Sequence, residues 1–193
     1  EAIEEAYHAG QKVFGENKAQ EMALKYEQLP RDIEWHFIGH MQTNKVKYIA
    51  PFVSLIHSVD SLKVLKEINK QGAKNKRVIH CLLQFHIAEE STKFGLNMEE
   101  AEALVYSRDD FTNIRLVGVM GMATFTEDKA QVRREFKQLH DYFEVLKQKY
   151  FSDDDRFKEV SMGMSGDYPI AVEEGSTLVR IGTLIFGKRD YSK

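Results

Sequence analysis

The sequence predicts an α/β protein, a parallel sheet whose strands are joined by crossover helices, in one domain over residues 1–193. Three observations carry that expectation. Short apolar segments of strand length alternate with amphipathic segments of helical spacing along the whole chain. Most connections between them are short, as they are inside a single domain. The chain of 193 residues is 42% hydrophobic, enough to bury one substantial core.

Each element can be justified in turn. Ala2, Ile3, Ala6 and Tyr7 follow helical spacing up to Gly10, a stop signal. Neither a capping residue nor an initiator methionine precedes them, so the start of this helix is expected upstream of Glu1. Strands are read near residues 13–15, 34–39, 53–58, 78–87, 114–122, 159–162 and 178–181. Between them, Ser61 opens a helix carrying Leu62, Leu65 and Ile68 that is expected to end at Gly72. Asn97 and Glu100 form a capping-box pattern ahead of Ala101, Leu104 and Val105. Val132, Phe136, Leu139, Phe143, Leu146 and Tyr150 recur at three- and four-residue steps and mark the longest amphipathic helix, its aromatic stripe reading as core. Asp153, Asp154 and Asp155 read as a solvated loop after it.

Composition excludes several function classes. The net charge is −3 with basic residues interspersed among acidic ones, and no aromatic-basic cluster points to nucleic acid. No stretch approaches the apolar length of a membrane helix. The one cysteine, Cys81, lies in an apolar strand, so no disulfide forms within the chain and a reducing, cytoplasmic compartment is expected. His36 and His40 are the only histidines four apart, span a strand end and have no carboxylate or thiolate at ligand spacing, so no metal site is expected.

The most informative segment runs from Gly175 to Thr183, shortly after Ser161-Met162-Gly163-Met164-Ser165. Leu178, Val179 and Ile181 read as a short buried strand, interrupted by the permanent charge of Arg180. Glycines and hydroxyls at the strand ends offer close backbone approach and free N–H groups, as in phosphate-holding turns. A ligand with a phosphate at one end and an acceptor at the other would satisfy turns and arginine together. Alternatively, Arg180 pairs with a buried carboxylate between ordinary turns.

These residues also carry a family resemblance. Gly15-Glu16-Asn17 with Gln20-Glu21, Trp35-His36-Phe37-Ile38-Gly39-His40 with Gln42-Thr43-Asn44-Lys45, Ser161 to Ser165, and Gly175 to Gly187 match, in order and spacing, the pyridoxal phosphate homeostasis proteins. The resemblance implies a TIM (β/α)8 barrel of the alanine-racemase type that binds pyridoxal 5′-phosphate, with seven of its eight strands visible here. It puts the Schiff-base lysine in a first strand upstream of Glu1. It further implies that Ser165, Gly182 and Thr183 hold the phosphate through N–H and hydroxyl donors, and that Arg180 donates to the pyridine nitrogen. An arginine there keeps that nitrogen unprotonated, because two positive charges would otherwise face each other.

Asn17 and Asn44 follow strand ends, where barrel sites are assembled, and are cofactor-binding candidates; helix capping is the competing role for both. His40, just past Gly39, and Lys93, in the Ser-Thr-Lys-Phe-Gly loop, are candidate mouth residues, whereas His36 reads as a hydrogen-bonded structural residue. Two functions follow from the resemblance. One is a non-enzymatic carrier or buffer of the cofactor that passes it transiently to apoenzymes. The other is a small racemase, a reaction that needs acid–base groups on both faces of the ring. The carrier is the preferred expectation, because the chain ends shortly after its last strand without the second domain that alanine racemases use for this. A generic phosphate-binding barrel enzyme is the third reading.

Overall fold

A computed structural model describes residues 2–89 and 94–187. In chain order the elements are α1 (Ala2–His8), β1 (Val13–Glu16), α2 (Ala19–Gln28), β2 (Glu34–Phe37), α3 (Val46–Ile49), β3 (Leu55–Val59), α4 (Leu62–Lys74), β4 (Ile79–Gln84), α5 (Met98–Tyr106), β5 (Ile114–Met120), α6 (Lys129–Tyr150), β6 (Glu159–Met164), α7 (Tyr168–Glu173), β7 (Leu178–Arg180) and α8 (Thr183–Phe186). Every expected strand is present. The seven strands pair in parallel in sequence order, β1 to β7, giving a nearly closed barrel whose edges are β1 and β7. No described helix is long and apolar enough to cross a membrane.

Strand alternation sends side chains to two different cores. Phe14, Trp35, Phe37, Ile56, Cys81, Leu83, Val119, Val160 and Met162 belong to the large cluster that also contains the buried faces of the helices. A smaller cluster of Leu55, Leu82, Val117 and Met120, with Met122 and Leu178 against it, is the apolar filling that opposite faces of these strands supply. The helix α6 buries Val132, Phe136, Leu139, Phe143 and Leu146, so its aromatic stripe is core as its spacing predicts. Burial in the larger cluster pushes the Cys81 thiol well up, which keeps it protonated and inert.

Helix ends follow their local chemistry. Ser61 Oγ accepts from Val64 N, and Asn97 and Glu100 form the reciprocal capping box. Gly10, at φ 103°, follows α1 as the stop its position predicts. Gly72 departs from expectation. It lies inside α4, buried, where the carbonyl of Asn113 passes so close that a Cβ at 72 would sit 2.6 Å from it; the helix runs on to Lys74, with Asn75 as its C-cap before Lys76 at φ 53°.

The last strand is a second correction. It ends at Arg180 without Ile181, and Val179 is 39% exposed, so the segment is not the buried strand that its composition suggests. Among the described residues β7 pairs with β6 alone, and an edge strand is covered on one side only.

Candidate functional site

The carboxyl ends of the strands gather most of the predicted site residues. Arg180 closes β7, and its neutral partners hold it in place: Nη1 donates to Ser161 Oγ at 2.6 Å and Nη2 to the Gly121 carbonyl at 3.1 Å. No carboxylate forms a salt bridge with it among the described residues, so the alternative of a buried ion pair does not hold. Burial pushes its pKa down to about 10, while the more distant charge of Asp167 opposes that shift, and the group stays cationic at neutral pH. A guanidinium has five N–H donors, and these two bonds leave others available.

Ser165 follows β6 and faces the start of α8. Its Oγ accepts from the backbone N–H groups of Gly182 and Leu184, at 3.3 and 3.4 Å. Thr183 stands between them, exposed, and a Cβ added to Gly182 would meet nothing within 4 Å. Two backbone donors and the Ser165 hydroxyl thus meet beside open space, which is the donor chemistry of an anion cradle.

Asn17 and Asn44 are both exposed, Asn17 on the loop after β1 and Asn44 within a short 3-10 turn, Thr43–Lys45, that follows β2. Neither caps a helix: Lys18 and Lys45 occupy the N-cap positions of α2 and α3, without side-chain capping bonds. Among the described residues neither asparagine side chain has a hydrogen-bond partner. His40 is exposed on the segment after β2, its ring stacked on Phe94 at 3.7 Å between centroids and its Nδ1 3.3 Å from Asp60. That carboxylate, 20 residues away in sequence, is one the local spacing could not reveal. Lys93 lies outside the described residues.

One residue that sequence reasoning left without a role, His57, is inside the barrel, where it meets His36, hydrogen-bonded as expected. His57, 2% exposed, has Nδ1 2.8 Å from Ser161 Oγ and Nε2 3.1 Å from His36 Nδ1. The available signal was modest: His57 interrupts an apolar strand two residues after Leu55, on the face that points inward. Burial holds His36 down at about 4 and His57 well below its ordinary value, the latter also through neighbouring His36 and Arg180, so both imidazoles are neutral at physiological pH.

Comparison with known proteins gives the same frame. The family model described as alanine racemase, N-terminal domain, matches residues 1–190. The pyridoxal phosphate homeostasis protein of Aquifex aeolicus (strain VF5) is 42% identical over 192 residues, covering 99% of this chain and 83% of that protein. Among solved structures, PipY of Synechococcus elongatus without PLP superposes with a TM-score of 0.90 at 33% identity, covering 96% of this chain and 86% of that one. PipY with PLP bound gives 0.86 at the same identity and coverage. This chain belongs to the alanine racemase N-terminal domain family and, within it, to the pyridoxal phosphate homeostasis proteins.

Proposed function

We propose that the chain binds pyridoxal 5′-phosphate at the mouth of the barrel and acts as a carrier or buffer of it. The observation that carries this reading is the convergence of the Gly182 and Leu184 N–H groups on Ser165, with a cationic Arg180 on the adjoining strand end that has no carboxylate partner among the described residues. In this reading Ser165, Gly182 and Thr183 hold the phosphate, and Arg180 donates to the ring nitrogen. In the same reading Asn17 and Asn44, exposed after β1 and β2, line the cofactor, and His40 stands at the rim. Bound there, the cofactor supplies a reactive aldehyde and an electron-accepting ring. Arg180 tempers the second property, because a charged donor opposite the nitrogen disfavours a proton on it. Retention of the aldehyde needs nothing further from these residues. Apoenzymes in the cytoplasm are the recipients in this reading, met transiently.

Equilibrium dialysis and absorption spectroscopy with pyridoxal 5′-phosphate test the proposal. Saturable binding is expected, weakened roughly tenfold or more in Arg180→Leu and in Ser165→Ala, and competed by inorganic phosphate at high concentration. Non-saturable uptake, or retention in both variants as strong as in the parent chain, would overturn it. Incubating the loaded protein with an L-amino acid separates the two functions: steady optical rotation supports the carrier, and its loss with time supports the racemase.

A further inference from the structure

The proposed function uses Arg180 but not the run of polar groups that extends from it across the barrel. Arg180 Nη1 donates to Ser161 Oγ at 2.6 Å; Ser161 Oγ lies 2.8 Å from His57 Nδ1; His57 Nε2 lies 3.1 Å from His36 Nδ1. The run links β7, β6, β3 and β2, and its middle bond joins strands that are not neighbours in the sheet. Ser161 is fully buried and His57 nearly so, so water does not substitute readily for a lost partner.

The direction of every bond follows from the chemistry of the first donor. A guanidinium can only give hydrogens, so the Ser161 oxygen accepts from Arg180. The hydroxyl hydrogen then has one acceptor among the described residues, His57 Nδ1. A neutral imidazole that accepts at Nδ1 carries its hydrogen on Nε2. That hydrogen points at His36 Nδ1, which must accept and therefore carries its own hydrogen on Nε2. A proton added to either histidine would turn an acceptor into a donor and break the chain.

We propose that Ser161, His57 and His36 are positioning residues for Arg180: a one-way hydrogen-bond chain that fixes the orientation of its guanidinium and leaves its remaining hydrogens to the ring nitrogen of the ligand. The proposal rests on the pyridoxal phosphate reading for the last step only; the chain itself is a property of the ligand-free protein. None of the three residues needs to touch the cofactor.

Two measurements test it. In the ligand-free protein at neutral pH, histidine side-chain 15N spectra should show His57 and His36 each as a single neutral tautomer with the hydrogen on Nε2. A hydrogen on Nδ1 of His57 would overturn the chain whether or not pyridoxal phosphate binds. In the loaded protein, Ser161→Ala and His57→Phe should weaken retention roughly tenfold and shift the absorption band of the bound cofactor. Ser161→Thr, which keeps the hydroxyl, should restore both. If wild-type protein binds the cofactor and Ser161→Ala leaves affinity and spectrum unchanged, Arg180 is held without the chain and the proposal fails. If wild-type protein does not bind, the site reading fails and the tautomers still decide the chain. Should one variant not fold, the other substitution and the wild-type tautomers decide between the chain and its absence.

Discussion

Gly39 lies against the backbone of Asn17, so close that a Cβ at position 39 would stand 2.2 Å from the Asn17 carbonyl oxygen. This contact fastens together the loops that follow the first two strands, and with them the asparagine assigned to the ligand. A side chain at 39 cannot be accommodated by a rotamer change, because the obstacle is backbone. Gly39→Ala should therefore destabilise by about 1–3 kcal/mol, the usual range for overpacking, and displace Asn17. Urea denaturation with cofactor titration checks it: unchanged stability and unchanged retention would show that the two loops move apart freely.

Gly72 sets two effects of opposite sign against each other. Alanine is favoured over glycine within a helix by about 1 kcal/mol. Its methyl, however, would meet the Asn113 carbonyl at 2.6 Å and that of Arg77 at 3.0 Å, an overpacking cost of about 1–3 kcal/mol. Packing should win, and Gly72→Ala should melt at a lower temperature than the parent chain. A higher melting temperature would mean that α4 shifts outward at little cost.

Glu135 anchors the loop after β5. Buried at 5% exposure, it accepts from Thr124 N at 2.6 Å, Thr124 Oγ1 at 2.7 Å and Gln131 Nε2 at 3.1 Å. Replacement by leucine keeps the volume but removes the acceptor from three donors on half-buried residues, at a total cost of about 1–3 kcal/mol. Glu135→Gln retains one acceptor oxygen and should lose less. Equal losses for the two substitutions, measured by urea midpoint, would contradict the hydrogen-bond account.

Acid should destabilise the protein through its buried histidines. The pKa of His36 is about 4 in the folded chain against an unperturbed 6.5, and that of His57 is also well below 6.5. The unfolded chain thus binds more protons below pH 6.5, so stability is complete above that value and is lost as pH falls from 6.5 towards 4. For His36 alone the shift corresponds to on the order of 3 kcal/mol over the whole interval. Between pH 6.5 and 5, above the range where most carboxylates titrate, His36→Asn should flatten the fall of the urea midpoint. An unaltered slope would mean that His36 is protonated without cost in the folded state.

The sequence by itself determined the order and number of the visible strands, the capping of α4 and α5, the stop at Gly10 and the inward stripe of α6, because each is written in spacings of two to four residues. It also marked Ser165, Gly182 and Arg180, through glycines, hydroxyls and a charge where an apolar strand should continue. Tertiary structure alone decided the rest. His57 and Ser161 are 104 residues apart, and nothing in either strand says which inward-facing side chain will meet it across the barrel. That depends on the stagger of strands that never pair with each other, as the interior role of Gly72 depends on where the Asn113 carbonyl comes to rest. Local patterns fix which way a side chain points; only closure of the sheet fixes what it finds there.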